Sequence, residues 1–312
     1  MKNNITKFLI FTGIILISFE GMSQQDPLYT QYMYNMSVLN PAYATDDPGM
    51  LKMGGLYRSQ WVGIDGAPST ANFFAHTPLS ERVEVGLSII HDEIGDWVKE
   101  NNITADFAYV LPLTETSKLS LGIKGGLSTF NSNISGLTVN QLNDPAFQDI
   151  NEIFPVVGVG AYFFGEKYYV GLSAPNLLTS KHLENQQGLR TLGEENTHFF
   201  VTGGYVFDIN EDFKLKPAFM ARGVQGAPLS VDITANVLMF NRLEAGIGYR
   251  FGDAVTGLVN FAVTPQIRVG YAYDRTTSNL GDYNDGTHEF LLLFDLDILG
   301  LSKGYDKSPR FF

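Results

Sequence analysis

Histidine is the residue type in this sequence best suited to act as a general base or a metal ligand. No two histidines stand four residues apart, so none forms the pair that a helix presents to one zinc ion. His91-Asp92-Glu93 offers three ligand types in a row, but adjacent residues of a strand do not point to one place. We therefore predict no metal site and no cofactor. The five histidines are His76, His91, His182, His198 and His288.

Two further kinds of site are possible in principle, the catalytic triad of a serine hydrolase and a calcium-binding loop. The sequence has no Gly-x-Ser-x-Gly elbow. In a β-barrel the members of a catalytic triad come from different strands, so the missing motif does not by itself exclude a triad. His288 is explained more simply as a hydrogen-bonded residue of the last strand. The run from Asp282 to Gly286 lacks the closing glutamate of a calcium loop and matches a turn equally well. No catalytic residue is predicted, and the chain is expected not to be an enzyme.

The composition points towards a membrane protein built from strands. Charged residues make up 17% of the chain, against roughly 25% in ordinary soluble proteins, while Gly (32), Tyr (15) and Phe (23) are plentiful. Spanning strands need only about 9–11 residues and alternate apolar with polar side chains, which keeps mean hydropathy moderate. The absence of cysteine excludes disulfides and thiolate metal sites. A net charge of −12 without a basic run argues against nucleic acid as a partner.

The N-terminus has the pattern of a secretory signal peptide. Lys2 and Lys7 precede an apolar stretch over 8–19, and Gly21-Met22-Ser23 supplies the small residues of a cleavage site. The apolar stretch is shorter than the roughly 20 residues that a spanning helix needs. We predict a signal peptide over residues 1–23, cleaved after Ser23.

Period-2 alternation dominates the chain after residue 50. In 242–251, for example, Leu243, Ala245, Ile247, Tyr249 and Phe251 fall on one face of the predicted strand. The pattern predicts an all-β fold, a transmembrane antiparallel up-and-down β-barrel of about fourteen strands over residues 51–312, with a C-terminal tail. The predicted strands are 51–61, 69–77, 82–91, 99–110, 118–129, 154–164, 167–174, 196–207, 213–222, 229–239, 242–251, 254–263, 265–274 and 286–297.

The predicted connections sort by length. Those after the even-numbered strands are tight, whereas four of those after odd-numbered strands are long. Outer-membrane barrels have short periplasmic turns and long outer loops, with both termini in the periplasm, while a soluble sandwich has no reason to sort its loops in this way. The long connections are 92–98, 130–153, 175–195 and 275–285.

Residues 24–50 differ from the rest and form a predicted N-terminal periplasmic or lumenal segment. Tyr29, Tyr32, Met33 and Met36 recur at spacings of three and four, which suits a short helix or turn, and the Asn40-Pro41 step ends it. We expect this segment to be a plug or a rim element of the barrel. Several aromatic residues are candidates for interfacial girdles or for packing in the wall: Trp61, Trp97, Tyr109, Tyr168, Tyr169 and Tyr249.

Four segments in fixed order carry a resemblance to a known family: QDPLYTQYMYNMSVLNPAYA (25–44), YRSQWVGIDGAPST (57–70), YAYDRTTSNLGDYNDGTHEFLL (271–292) and SPRFF (308–312). Together they resemble the PorP/SprF family of type IX secretion system outer-membrane proteins. The resemblance implies an integral outer-membrane protein of a Gram-negative bacterium that supports export or surface anchoring of a specific cargo protein. In some members it also implies a role in gliding motility.

The same resemblance implies partners and signature positions. The partners are a secreted cargo protein, type IX machinery components including a periplasmic ring or peptidoglycan-binding protein, and membrane lipid. A structural role for the signature positions is favoured over direct partner binding, with an inward Arg58–Gln60 row touching the N-terminal segment. The positions are Asn40, Pro41, Ala42, Tyr43, Tyr57, Arg58, Gln60, Trp61, Gly66, Pro68, Gly286, His288, Glu289, Pro309, Arg310 and Phe312.

Two other functions remain open from sequence. A barrel of this size can be an outer-membrane channel for small solutes, and a barrel enzyme acting on lipids is the less favoured third hypothesis. The predicted inward charges fit either a water-filled pore or a salt-bridged socket for a plug. They are Lys124, Asp232, Arg242, Glu244, Arg250 and Arg268.

Overall fold

A computed structural model describes residues 27–45, 47, 49–95, 97–133, 149–178, 180–181 and 194–297. The predicted signal peptide lies outside these residues. So do the signature positions Pro309, Arg310 and Phe312.

In the described part of the chain, fourteen antiparallel strands form one barrel, as predicted. Each strand pairs with its neighbours in sequence, and the last strand pairs with the first, which closes the sheet. Closure gives every strand a paired neighbour on both sides and leaves no edge strand, as a sheet in lipid requires. The strands are β1 (Met50–Ser59), β2 (Ser69–Ser80), β3 (Val83–Ile94), β4 (Val98–Pro112), β5 (Ser117–Ser132), β6 (Ile150–Gly165), β7 (Tyr168–Ala174), β8 (His198–Tyr205), β9 (Phe213–Val224), β10 (Ser230–Met239), β11 (Leu243–Arg250), β12 (Ala254–Ala262), β13 (Ile267–Thr276) and β14 (Thr287–Asp297).

Short elements accompany the barrel strands. Phe207–Asp208 pairs with β9, and Ser180–Lys181 pairs with Glu194–Glu195. A 3-10 helix spans Asn279–Asp282. Among the described residues, no helix has both the length and the apolar character needed to cross a membrane.

The alternation seen in the sequence becomes an inside and an outside. In β12 buried and exposed residues alternate without interruption, with Thr256 and Asn260 inward and Val255 and Val259 outward. The outward residues of the other strands are also mainly large and apolar. Such an apolar outer band is what a membrane-spanning barrel presents to lipid.

The two ends of the barrel have different connections. The short-turn rim carries 81–82, 113–116, 166–167, 206–212, 240–242 and 263–266, and the long-loop rim carries 60–68, 95–97, 133–149, 175–197, 225–229, 251–253 and 277–286. The expected long loop at 92–98 is wrong. Strands β3 and β4 stay paired up to Ile94 and Val98, which leaves three residues between them. The expected loop at 130–153 likewise shortens, because β5 and β6 are longer than predicted.

The N-terminal segment lies inside the barrel, and residues 27–45 are called the plug below. It contains a 3-10 helix, Tyr32–Tyr34, and one turn of α-helix, Met36–Leu39. Every residue from 29 to 45 is buried, and the apolar ones form the main hydrophobic cluster with inward wall residues such as Phe74 and Tyr162. The lumen is therefore a packed core at this level, because apolar contacts there replace water.

The plug runs from the long-loop half of the barrel to the short-turn half. The backbone N–H of Thr30 donates to Glu289, near the long-loop end of β14, whereas that of Thr45 donates to Glu84, at the short-turn end of β3. The prediction that both termini lie at the short-turn rim concerns residues outside the described ones. The described chain begins near the long-loop rim and descends through the lumen before β1 starts.

The candidate girdle aromatics divide between the two faces. Trp97, Tyr109 and Tyr249 are partly exposed on the outer surface. Tyr169 is 2% exposed and stacks in the lumen on Tyr162, with ring centroids 5.7 Å apart. Tyr169 thus belongs to the interior packing and not to a girdle.

Candidate functional site

A buried ionic cluster joins the plug to the barrel wall, and Arg58 is at its centre. The Arg58 guanidinium donates from Nη1 to Glu289 Oε2 at 3.0 Å and from Nη2 to Asp274 Oδ2 at 3.1 Å. Nη1 also donates to Thr30 Oγ1 at 2.6 Å. The side chains of Arg58, Asp274 and Glu289 are 4% exposed or less. Thr30, Arg58, Asp274 and Glu289 are called the latch cluster below.

Glu289 binds the backbone of the plug as well as Arg58. Its Oε2 accepts a hydrogen bond from Thr30 N at 2.9 Å, and its Oε1 accepts one from Gln31 N at 2.7 Å. Two consecutive amides therefore share one carboxylate. Charge-assisted hydrogen bonds of this kind are roughly twice as strong as neutral ones. Glu289 thus fixes where the plug begins along the wall of the lumen.

The latch cluster continues into neighbouring strands through Asp274. Thr256 Oγ1 of β12 donates to Asp274 Oδ1 at 2.7 Å, and Arg250 Nη1 of β11 lies 3.9 Å from Asp274 Oδ2. Arg250 also donates to Asp232 Oδ1 at 2.7 Å and to Asp253 Oδ2 at 3.2 Å. The charges of β1, β10, β11, β13 and β14 therefore form one connected network, in which removal of a single member leaves others unpaired.

Inward glycines make room for the middle of the plug. A Cβ added at Gly122 would lie 2.3 Å from the Pro41 carbonyl oxygen, and one added at Gly160 would lie 2.1 Å from Asn40 Oδ1. Gly171 has Asn40 Nδ2 at 3.0 Å from the same ideal position. The plug therefore contacts the wall so closely that only glycine fits at Gly122 and Gly160.

Asn40 converts this close approach into hydrogen bonds. Its Nδ2 donates to the Ala161 carbonyl at 3.1 Å, and its Oδ1 accepts from Ala42 N at 2.9 Å. The Ser173 hydroxyl donates to the carbonyl of Leu39 at 2.8 Å, one residue earlier. The Asn40-Pro41 step is thus a turn of the plug that is held by β6 and β7.

Replacing Asn40 by alanine should lower the free energy of unfolding by about 1–3 kcal/mol, since it leaves the buried Ala42 N–H and Ala161 carbonyl without their partner. The measurement is urea titration of the purified protein in lipid vesicles, followed by gel mobility. Asn210→Ala is the matched control, because the Asn210 side chain likewise makes two hydrogen bonds to the backbone, both accepted by Oδ1, but in an exposed turn where water can replace it. Equal losses in the two variants would contradict a buried anchor at Asn40.

The remaining signature positions occupy three environments. Tyr43 lies in the lumen, where its ring packs edge-on against His76 at 5.1 Å and Tyr162 at 5.5 Å. Tyr57 points outward and is 49% exposed. Gln60 and Trp61 start the first long-loop connection, where Gln60 N donates to the Pro68 carbonyl and Trp61 N donates to Thr287 Oγ1. Arg58 contacts the plug directly through Thr30, whereas Gln60 bonds to Pro68 within the first long-loop connection.

His288 lies on the outer face of β14 within an aromatic group. Its Nδ1 is 2.7 Å from the Tyr271 hydroxyl, and its ring centroid is 5.2 Å from that of Tyr273. Ser59 is the cross-strand partner of His288, but no hydrogen bond joins the two side chains in the described structure. In the described ranges, no group of three or more His, Cys, Asp or Glu residues is arranged to hold a metal ion. Asn284 hydrogen-bonds within its own loop, to Gly286 N and the Leu280 carbonyl, as a turn residue does.

Sequence reasoning identified Arg58 and Glu289 but missed Thr30 and Asp274 as their partners. A signal for Asp274 existed, because β13 alternation places it on the inward face. Thr30 carried no such signal, since its contact depends on how the plug threads the lumen.

Solved structures with a similar arrangement are outer-membrane barrels of low sequence identity. The Omp33 protein of Acinetobacter baumannii is 9% identical, with 79% of this chain and 98% of that chain covered and a TM-score of 0.48. A FadL homologue of Pseudomonas aeruginosa is 10% identical, with 91% and 96% covered and a TM-score of 0.49. The toluene transporter TbuX of Ralstonia pickettii is 11% identical, with 84% and 93% covered and a TM-score of 0.45. No curated protein matches the sequence.

The family comparison agrees with the barrel and with three of the four sequence segments, since 25–44, 57–70 and 271–292 lie inside the match and 308–312 lies beyond it. The model of type IX secretion system membrane protein PorP/SprF matches residues 21–294, which is most of the chain and includes the plug and all but the last residues of β14. The protein is therefore a member of the PorP/SprF family, an integral outer-membrane β-barrel component of type IX secretion.

Proposed function

We propose that this protein is a non-enzymatic accessory of type IX secretion that supports export or surface anchoring of a specific cargo protein, and gliding motility in cells that glide. The observation that carries the proposal is the plugged lumen. A segment that is buried throughout residues 29–45 fills the middle of the barrel and is fixed to several strands. A barrel filled in this way offers its two rims to partners and not an open passage to solutes.

The inward charges support the plugged barrel over a solute channel. Lys124 Nζ lies 2.9 Å from Asp106 Oδ1, and Arg250 Nε lies 2.7 Å from Asp232 Oδ1. Each of these pairs joins cross-strand partners whose side chains are 10% exposed or less. In a water-filled pore such charges would face solvent and passing ions. Here each charge is instead neutralised by its partner on the neighbouring strand of the wall.

The long-loop rim supplies the proposed cargo surface, because three of its connections are joined there. Val62 N donates to the Gly286 carbonyl at 2.9 Å, and Asp285 N donates to the Val62 carbonyl at 2.7 Å. Gly95 N donates to the Gly66 carbonyl at 3.1 Å. Connections 60–68 and 277–286, together with Gly95, thus form one surface, called the rim platform below. Ordered loops on a rigid scaffold are typical protein-binding sites.

Two details suit the rim platform to a protein partner. Tyr283 is 75% exposed on it, and tyrosine is enriched at the centres of interfaces. At the signature residue Gly286, φ is 91° and a Cβ would lie 2.6 Å from the Tyr273 ring. Both features require glycine, which fixes the backbone of the rim platform at this turn. We place the machinery partner, a periplasmic ring or peptidoglycan-binding protein, at the opposite short-turn rim.

The test is a pull-down of the tagged protein from its native envelope in mild detergent, with mass spectrometry of what is recovered. We expect the wild type to recover a large surface protein together with secretion components. Tyr283→Arg should lose the surface protein at least about tenfold, as for an interface hot spot worth more than about 1.4 kcal/mol. Leu113→Arg at the short-turn rim, where Leu113 is 55% exposed, is the matched control and should keep the surface protein.

Three outcomes would count against this proposal. Recovery of the barrel alone from the wild type would favour a solute channel, and so would a steady wild-type current in planar bilayers. Equal recovery of the surface protein with Tyr283→Arg and with the wild type would remove the rim platform as the cargo surface.

A further inference from the structure

One charged side chain stands apart on the outer surface of the barrel. In strands β8–β14, β1 and β2, as far as the structure describes them, the outward positions hold a single Lys, Arg, Asp or Glu residue, which is Arg275 of β13. The preceding residue, Asp274, belongs to the latch cluster in the lumen, so Arg275 points outward, and it is exposed. A cation on a wall that faces lipid is normally found with an anionic partner.

The protein itself does not supply that partner. Among the described residues, the Arg275 side chain has no hydrogen bond and no ion pair. The neighbouring aspartates are paired elsewhere, Asp274 with Arg58 at 3.1 Å and Asp253 with Arg250 at 3.2 Å. The planar guanidinium of an arginine matches two oxygens of one phosphate group. Arg275 is therefore available to a phosphate from outside the chain.

Arg275 lies at the level where lipid headgroups meet the barrel. It occupies the last outward position of β13 at the long-loop end, and the two outward positions below it are Tyr273 and Tyr271. Tyr249 holds the corresponding position on β11 and is 39% exposed. Tyrosine is enriched at the interfaces of a membrane, where its ring meets hydrocarbon and its hydroxyl is solvated. Beyond these tyrosines, Arg275 can reach the phosphate of a lipid.

A dip in the wall lies beside these residues, at Gly257 of β12. A Cβ added to Gly257 would meet no atom within 4 Å, so no side chain fills the space between its neighbours. The cross-strand partners of Gly257 are Ile247, which is 70% exposed, and Tyr273. Val255, the next outward residue towards the long-loop end, pairs with Arg275. An acyl chain in the dip would gain van der Waals contacts on both sides, directly below the arginine.

We propose that Arg275 and the dip at Gly257 form a binding site for one membrane lipid whose phosphate head carries a net negative charge. The guanidinium binds the phosphate, and one acyl chain lies between Ile247 and Tyr273. The protein has a formal net charge of −12, which repels anionic lipids on average. Selection of an anionic lipid is therefore expected at this site and not on wall strands that lack an unpaired cation. The site belongs neither to the latch cluster nor to the rim platform.

The first experiment measures which lipid surrounds a tryptophan at the site. The two native tryptophans are replaced by Trp61→Phe and Trp97→Phe. Tyr249→Trp then reports on the site, and Phe199→Trp reports on the long-loop end of β8, where Phe199 is 54% exposed and no outward cation is described. The vesicles are dioleoylphosphatidylcholine with an equal fraction of either brominated phosphatidylglycerol or brominated phosphatidylcholine, since bromine quenches tryptophan on contact.

At position 249 we expect phosphatidylglycerol to be enriched about fivefold over phosphatidylcholine, which corresponds to roughly 1 kcal/mol for one basic residue near an anionic head. At position 199 we expect no enrichment. Equal quenching by the two lipids at position 249, or the same enrichment at both positions, would overturn the proposal.

Variants of the arginine test the binding of the head. Arg275→Gln should abolish the enrichment at position 249, whereas Arg275→Lys should keep part of it, because an ammonium attracts phosphate as a point charge without the fork of a guanidinium. Lys99→Gln is the matched control, since Lys99 is also an outward cation at the long-loop end of its strand but pairs with Glu93 at 2.8 Å. It should leave the enrichment unchanged. Full enrichment in Arg275→Gln would contradict the assignment of the head.

A variant of the glycine tests the position of the chain. Gly257→Leu fills the dip and should reduce quenching by brominated phosphatidylglycerol at position 249, because the acyl chain is displaced from the tryptophan. Gly125→Leu is the matched control, since Gly125 is an outward glycine of β5 whose added Cβ also meets no atom within 4 Å. Unchanged quenching in Gly257→Leu would overturn the placement of the chain. Heat-modifiable gel mobility shows in each variant that the barrel is folded.

Inorganic phosphate distinguishes a lipid from a soluble anion at the same arginine. Added to vesicles that contain brominated phosphatidylglycerol, it should lower the enrichment no more than sodium chloride of equal ionic strength does. A larger loss with phosphate would assign Arg275 to a soluble phosphate and overturn the proposal. All of these measurements use the purified protein and lipid alone, so their outcome is independent of cargo capture and of the proposed function.

Discussion

Replacing Arg58 by alanine should lower the free energy of unfolding by about 3–5 kcal/mol, the usual cost of removing one member of a buried, hydrogen-bonded ion pair. The variant leaves the Glu289 and Asp274 carboxylates buried, at 1% and 4% exposure, without the guanidinium that bridges them. It also removes the donor to Thr30 Oγ1. The variant therefore loses contacts between wall strands and the contact that holds the plug at Thr30, in the long-loop half of the barrel. The measurement is urea titration in lipid vesicles, followed by tryptophan fluorescence.

Two comparisons show whether that loss comes from the latch cluster. Arg82→Ala removes an exposed arginine at a short turn and should change the free energy of unfolding by no more than about 0.5 kcal/mol. Arg58→Met combined with Glu289→Gln and Asp274→Asn removes the unpaired charges and should recover part of the loss. If Arg58→Ala cost no more than Arg82→Ala, the latch cluster would not contribute to stability.

The sequence predicts the barrel because the alternation of apolar and polar residues within each strand indicates which of its faces is inward. Alternation in β12 or β11 needs no knowledge of the neighbouring strands, and the strand count follows from the turns between them. Boundaries are less certain, since a hairpin continues for as long as both strands can pair. The predicted loop 92–98 shows this, because Asp92 and Glu93 are polar and fall within the predicted loop although their backbones pair with β4.

Part of the latch cluster can also be predicted from the sequence. Closure pairs the first strand with the last, and the observed register sets Arg58 opposite Glu289. Alternation alone places both side chains inward, so an ion pair follows once the register is known. The register itself depends on the shear of the whole barrel, which no single strand encodes.

The path of the plug could not be derived from the sequence. Asn40 contacts strands more than 100 residues further along the chain, for instance at Ala161. The glycines at Gly122 and Gly160 look like ordinary small inward residues until the plug is present. The direction of threading, from the long-loop half towards the short-turn half, likewise rests only on tertiary contacts. Local periodicity predicts the short helices of the plug but not where they sit.

Replacing Gly122 by leucine should displace the plug and open the lumen to ions. The added Cβ would lie 2.3 Å from the Pro41 carbonyl oxygen and 2.4 Å from Ala42 N, and backbone atoms cannot rotate away as a flexible side chain can. Overpacking of this kind costs about 1–3 kcal/mol, which raises the unplugged population by roughly 5–150-fold. We expect single-channel openings in planar bilayers at a frequency increased by that factor over the wild type.

Gly125→Leu is the matched control for the conductance measurement, because Gly125 lies on the same strand and a Cβ there meets no atom within 4 Å. It should leave the wild-type current unchanged. A second readout uses the absence of native cysteine, with Ser37→Cys as a reporter on the plug, where Ser37 is 5% exposed. A water-soluble maleimide should label this cysteine faster when Gly122→Leu is also present, and the Gly125→Leu background should not change the rate. Faster labelling without current would mean that the plug moves but stays in the lumen. If neither the labelling rate nor the current changed, the wall would have moved instead of the plug. The plug would then be held more firmly than its contacts with Gly122 and Gly160 require.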